Sequence, residues 1–312
     1  MSFKENFIWG TATASYQIEG GAYQDGRGLT IWDEFSHTPG KTRFGDHGDN
    51  ACDSYNRLDE DITILKELGV NAYRFSICWT RILPEGSGRI NPLGIKYYDQ
   101  LINKLLENNI MPFVTIFHWD YPLELYYKGG WLNADSPKWF AEYVKILVEH
   151  FSDRVQYWIT QNEPECYIAN GLEIGRHAPG LQLPRKQVIR AWHHNLLAHG
   201  LAVKVIRENA KLKPYIGIVS CGETPLPFTE SKEDQQAAIR AMFNKNDSER
   251  LNLSFGDLLE PVVLGKHPDR IIPYLPAGYE KDMDIITEPI DFIGLNLYTG
   301  FYVKYDEKEN YV

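Results

Sequence analysis

The sequence predicts a parallel β/α barrel, and three observations point there. Short apolar runs alternate with long amphipathic ones along 312 residues, the pattern of strand–helix units around a parallel sheet. No stretch rich in Gly, Ser or Pro and no low-complexity segment divides them, so one domain covering residues 1–312 is expected. The first strand leads into Gln17-Ile18-Glu19-Gly20-Gly21, which lacks the G-x-G-x-x-G turn of a doubly wound nucleotide-binding sheet.

Six runs read as buried strands. They begin near Phe7-Ile8-Trp9, Val70 to Phe75, Met111 to Ile116, Val155 to Thr160, Ile216 to Val219 and Phe292 to Leu295. Helices with one apolar face lie between them. Leu58, Ile62, Leu65 and Leu68 fall at helical spacing, with Gly69 placed for a left-handed cap. Ile95, Tyr98, Leu101, Ile102 and Leu105 mark the next helix. Phe140, Tyr143, Val144, Leu147 and Phe151 mark a third, with Ser136-Pro137 read as its cap and first turn. Val188, Trp192, Leu196, His199, Val203 and Ile206 mark a fourth. The stretch from Cys221 to Arg250 is polar and reads as a long loop holding a helix.

Composition narrows the function. A formal charge of −10 and a pI near 5.4 would repel phosphate backbones and anionic membranes, so neither nucleic acid nor a membrane is expected as a partner. Eight Trp in a chain with 13% aromatic residues offer flat faces that suit sugar rings. Cys52, Cys78, Cys166 and Cys221 show no paired or metal-ligand spacing and read as reduced structural thiols. The start, Met1-Ser2-Phe3-Lys4-Glu5-Asn6, shows no charged segment followed by an apolar one. A cytoplasmic protein without metal or cofactor is the expectation.

In a parallel barrel the reactive groups sit at the carboxyl ends of strands. Gln17 and Glu19 follow the first run, Arg74 lies in the second, and His118-Trp119-Asp120 follow the third. Gln161-Asn162-Glu163-Pro164-Glu165 follow the fourth, and Asn296 and Tyr298 the sixth. Amide, imidazole, guanidinium and carboxyl groups on one rim suit a polyhydroxylated ring and cleavage of a bond beside it. Glycoside hydrolysis needs a carboxylic acid for the leaving oxygen, and retaining enzymes add a second carboxylate about 5 Å away. Glu163 is the candidate acid, because a partly dry site behind an apolar strand favours a proton donor.

Seven motifs, in order, carry a resemblance. The run Phe7-Ile8-Trp9-Gly10-Thr11-Ala12-Thr13-Ala14-Ser15-Tyr16-Gln17-Ile18-Glu19-Gly20 is followed by Tyr73-Arg74-Phe75-Ser76-Ile77 with Trp79, Arg81 and Pro84. Then come Phe117-His118-Trp119-Asp120 with Pro122, Asn162-Glu163-Pro164, His177-Ala178-Pro179-Gly180, and His193-His194-Asn195 to Gly200. Asp291-Phe292-Ile293-Gly294-Leu295-Asn296-Leu297-Tyr298-Thr299 is the last. Together they resemble glycoside hydrolase family 1, retaining β-glycosidases on a TIM (β/α)8 barrel.

The resemblance implies a β-glucosidase acting by double displacement on terminal β-linked sugars, in oligosaccharides or aryl glycosides. It makes Glu163 the acid and then the base. Gln17, His118 and Asn162 become ligands of the sugar hydroxyls, with Asn162 on the 2-hydroxyl. Arg74 and Tyr298 become the flank of the nucleophile, and Asn296 a group that orients the set. Trp119 and Trp131 read as packing, and His193-His194 as part of a helix wall. Two positions depart from the family: Gln161 stands where an aromatic precedes Asn-Glu-Pro, and Glu165 where a Trp follows it.

The family's nucleophile is a Glu in an Ile/Thr-Glu-Asn-Gly motif ending the seventh strand, and that motif does not occur here. About six of the eight βα units are therefore expected, with exposed edges on strands one and six. A homo-oligomer or a complementing C-terminal segment would cover them. Two alternatives stand beside the main reading: an inactive truncated barrel serving as a sugar-binding or assembly scaffold, and a 6-phospho-β-glycosidase.

Overall fold

The computed structural model describes residues 3–243 and 253–307. Among them, six strands form one parallel sheet in chain order. These are β1 (Gly10–Ala12), β2 (Ala72–Ser76), β3 (Met111–Phe117), β4 (Tyr157–Asn162), β5 (Tyr215–Pro227) and β6 (Phe292–Val303). Each strand pairs only with its neighbours in sequence, the winding order of a β/α barrel, and β1 and β6 are left as edges. The fold is a half-barrel.

A main helix follows each of β1 to β5: α1 (Leu58–Glu67), α2 (Pro92–Glu107), α3 (Ser136–Phe151), α4 (Arg185–Asn209) and α5 (Lys232–Phe243). Gly69 has φ +68 and donates its N–H to the Lys66 carbonyl, which closes α1 with a residue that has no Cβ to clash. Leu68 lies off the buried stripe and is 60% exposed. The α2 helix starts on the Asn91 carboxamide, which accepts from Leu93 N at 3.3 Å, with Pro92 behind it. In α3 the cap position belongs to Asp135, not Ser136, whose hydroxyl is 2.6 Å from that of Tyr121.

The sheet's two faces differ. Phe75, Val114, Trp158 and Ile216 point outward and are buried under the helices. Phe140, Tyr143, Val144, Leu147 and Phe151 of α3 are buried with them, each worth about 1.5–3 kcal/mol for a fully buried side chain. At Gly200 of α4 a Cβ would fall 1.9 Å from the Ile285 carbonyl oxygen, so only glycine admits that close approach. Arg74, Phe113, Tyr157 and Tyr215 share the inner face by register and are half-buried, with Tyr157 stacked on Phe113 at 4.3 Å and on Tyr215 at 5.1 Å.

Two strand readings shift. Pairing in β1 begins at Gly10, past Phe7-Ile8-Trp9, and Phe3, Phe7 and Trp9 form an aromatic cluster with exposures of 63%, 41% and 52%. The stretch read as a loop from Cys221 continues β5 to Pro227, alongside β6, before α5 begins; residues 244–250 of that stretch lie outside the described residues. Among the described residues, no helix is long and apolar enough to cross a membrane.

Candidate active site

The carboxyl ends of β2 to β6 gather one hydrogen-bonded set. Arg74, on the inner face of β2, donates to Thr115 Oγ1 at 2.9 Å, Asn162 Oδ1 at 2.5 Å and Asn296 Oδ1 at 3.4 Å. Asn296 Nδ2 donates to Asn162 Oδ1 at 3.0 Å and also to Glu163 Oε1. The Asn162 oxygen is taken by these donors, so its NH2 faces His118 Nε2 at 3.1 Å and that nitrogen accepts. The imidazole proton then sits on Nδ1, which is buried and has no partner among the described residues.

The charges of this set follow from burial. His118 is pushed down to about 3, first by burial and then by the Arg74 guanidinium, so it is a neutral imidazole at pH 7. Burial also lowers Arg74 from its ordinary value, with Glu163 and Tyr298 opposing, and a guanidinium keeps its proton in any case.

Glu163 sits at the turn between β4 and the short helix Pro164–Ile168. Its backbone is left-handed, φ 51 and ψ 58, a conformation that costs a non-glycine residue about 1–2 kcal/mol. Two features hold it there. Pro164 disfavours the right-handed helical region for the residue before it, and Glu163 N–H donates to the Val219 carbonyl at 2.7 Å. Trp119, which follows β3, is also left-handed at φ 77, and its indole N–H donates to the Asn162 carbonyl at 2.8 Å.

Gln17 reaches the set from the other side. It lines a cavity of about 140 Å³ with Ala14, Tyr16, Trp32, His118 and Trp119. Trp32 and Trp119 lie nearly parallel with ring centroids 6.5 Å apart. Tyr298 shares the inner face of β6 with Asn296 and is close enough for Glu163 and Arg74 to act on its charge. Its ring is 80% exposed, and among the described residues its hydroxyl has no hydrogen-bond partner.

Three residues that the sequence placed with the site have other partners. Glu19 pairs with Arg81 at 3.0 Å, both nearly fully buried, and belongs to the wall. Asp120 accepts from Ser15 Oγ at 3.0 Å and is pushed up to about 6 by burial. Glu165 turns inward, away from solvent: Ser220 Oγ and Cys221 N both donate to its Oε1. Burial raises it to about 7, with a smaller push from Glu163. Trp131 packs against Phe117, Tyr121 and Phe140, and His193 and His194 bond Asp282 and the Trp131 carbonyl.

Sequence reasoning missed Trp32, because no periodicity or motif marks the helix Ile31–His37 as part of the rim. It also treated Cys166 and Cys221 as scattered, although their sulfurs lie within 4.8 Å of each other beside Glu163. The pairing of β4 with β5 was the signal available for that.

Known proteins share this arrangement of strands. The chain is 50% identical over 311 residues to a 1,4-β-D-glucan glucohydrolase of Thermotoga neapolitana, covering 97% of itself and 70% of that protein. It is 49% identical over 308 residues to β-glucosidase A of Thermotoga maritima, covering 97% of itself and 67% of the relative. Among solved structures, the β-glucosidase from Thermotoga maritima in complex with glucoimidazole superposes with a TM-score of 0.87 at 48% identity, over 99% of this chain and 69% of that one. The same enzyme with castanospermine gives 0.88 at 47% identity. The family model for glycosyl hydrolase family 1 matches residues 1–312, and the chain belongs to that family.

Proposed function

We propose that this chain carries the acid/base half of a retaining β-glucosidase site, with Glu163 as the group that moves the proton. The supporting observation is the bond from Asn296 to Glu163 Oε1, which fixes one carboxyl oxygen and leaves the other to carry the proton. In the first step Glu163 gives that proton to the glycosidic oxygen as its bond to the anomeric carbon breaks and a carboxylate attacks that carbon. In the second step water attacks the same carbon, Glu163 takes its proton, and the glycosyl ester bond breaks.

Gln17, His118 and Asn162 are the proposed ligands of the sugar hydroxyls, Asn162 for the 2-hydroxyl. His118 lines one cavity with Gln17, which supports placing both against sugar hydroxyls. Arg74 and Tyr298 are proposed to flank the nucleophilic carboxylate and keep it ionised, with Asn296 orienting the pair. The names of the relatives support glucose as the sugar. Four free thiols fit a reducing, cytoplasmic setting.

The nucleophile belongs, in this reading, to sequence outside these 312 residues. Glu165, the neighbouring carboxyl, is turned to Ser220 and Cys221. The outer face of β6 supports a docking partner: Ile293, Leu295 and Leu297 are 42%, 46% and 48% exposed, whereas Ile218 beside them on β5 is 0% exposed. A complementing C-terminal segment or a second copy would cover that face.

The test is p-nitrophenyl β-glucoside hydrolysis by the chain alone and with the remaining C-terminal part of Thermotoga maritima β-glucosidase A added as a separate chain. Background rates alone, and retaining turnover together, are expected. Robust turnover by the chain alone, abolished by Glu163→Ala, would place the nucleophile within these residues and overturn the proposal.

A further inference from the structure

We propose that Glu163, Cys166 and Cys221 form a binding site for a thiophilic divalent cation, zinc(II) or cadmium(II), beside the sugar subsite. One ligand atom from each residue, a carboxylate oxygen and two sulfurs, lies within 4.8 Å of the other two. A tetrahedral zinc with sulfurs at about 2.3 Å sets its ligand atoms about 3.8 Å apart, so small side-chain rotations close the shell. Two thiolates and one carboxylate are soft enough for zinc or cadmium, and three protein ligands leave a fourth position open.

The ligands are held independently of any cation. Cys166 N–H donates to the Glu163 carbonyl at 3.0 Å, in the first turn after β4. Cys221 N–H donates to Glu165 Oε1 at 2.6 Å, at the rim of β5. Cys221 registers with Asn296 of β6, so its side chain shares the inner face with the residue that bonds Glu163. The two sulfurs lie within 4.8 Å of each other and are only partly buried, which gives a cation a path in. Glu165 thus has a role of its own: its carboxyl positions the Cys221 backbone. Bound metal would occupy the carboxylate of Glu163 and block it as a proton donor. The site itself does not depend on that catalytic assignment.

A second cluster at the surface, His37, His47 and Asp49, has its ligand atoms within 4.8 Å of one another but no sulfur. That difference makes the two separable. Cadmium chloride added to the reduced chain is expected to give a sulfur-to-cadmium charge-transfer band in the ultraviolet that saturates at one equivalent. Cys166→Ser and Cys221→Ser should each weaken the saturating binding at least about 100-fold, the upper range for losing even an outer-shell partner. Cys52→Ser and His47→Ala should leave the band unchanged. A second measurement needs no variant: cadmium should slow alkylation of Cys166 and Cys221 together, mapped by mass spectrometry, and leave Cys52 reactive. No band, a band that survives in the doubly substituted Cys166→Ser/Cys221→Ser chain, or no protection of the two thiols would each overturn the site.

Discussion

Asn296 donates its amide to Glu163 Oε1 across the rim, so the last strand of the sheet holds the carboxyl that ends the fourth. Removing that amide frees the carboxyl to rotate and leaves Arg74 with one acceptor fewer. Hydrogen bonds to charged groups are worth about 1.5–3 kcal/mol, so Asn296→Ala should lower kcat/KM of the complemented enzyme by about 10- to 100-fold. Steady-state kinetics on an aryl β-glucoside checks this, and a change under twofold would count against the assignment.

Glu163→Gln should separate substrates by leaving group. Protonation by a positioned acid is worth about 10²–10⁴-fold where the leaving oxygen is basic. In the complemented enzyme, alkyl and simple aryl glucosides should slow by that amount, while dinitrophenyl glucosides, which leave unaided, should slow little in the first step. Equal losses across the series would remove Glu163 from the role of acid.

Glu165 should make the protein less stable in mild alkali than in mild acid. Its folded value lies near 7, whereas an unfolded glutamate ionises near pH 4.3. Between those values the folded chain binds more protons than the unfolded one, so stability falls as pH rises from about 4 through about 7. Glu165→Gln keeps the acceptor for Ser220 and Cys221 and removes the titration. The stability difference between about pH 5 and about pH 8, measured by urea unfolding, should shrink by an amount on the order of 2–3 kcal/mol. An unchanged pH dependence would show that Glu165 is ionised in the fold.

His118 and His199 should contribute with the opposite sign. Burial holds both near 3, against about 6.5 when unfolded, so they stay neutral in the fold while the unfolded chain takes up protons. Their contribution is complete above about pH 6.5 and is lost as pH falls toward about 3. In NMR titrations their ring protons should stay flat from about pH 8 to about pH 5.

The uncovered outer face of β6 should drive association when the chain is alone. Leu295→Lys with Leu297→Lys breaks the apolar strip without touching Asn296 on the other face. Sedimentation should move from assemblies toward the 36.0 kDa monomer. A monomer before substitution would refute the sticky edge.

The strands and main helices were legible because an outward face that meets helices must be apolar at a fixed period, as Phe75, Val114 and Trp158 are. The far half of β5 was not. Thr224-Pro225-Leu226-Pro227 falls in the polar stretch read as a loop, yet the segment stays in register with Gly300 to Val303 of β6. Phe7 and Trp9 misled in the other direction, since their apolar side chains cluster on the surface next to a strand that starts at Gly10. At the rim, motif order brought out the polar set around Asn162. The inward turn of Glu165 depends on what Ser220 and Cys221 offer from another strand, and no single segment carries that information.

Two non-glycine residues at the rim, Trp119 and Glu163, sit in left-handed backbone. Glycine or asparagine would rest there with less backbone strain, and at position 163 stability and usefulness therefore pull in opposite directions. A mutant library of this chain screened for heat tolerance alone should therefore enrich Gly or Asn at position 163, whereas Trp119 should persist, because its indole bonds the Asn162 carbonyl and stacks on Trp32. The same library screened for turnover in the complemented enzyme should restore Glu163. The rim would then be read by selection, as the part of the molecule that gains least from being left to fold at leisure.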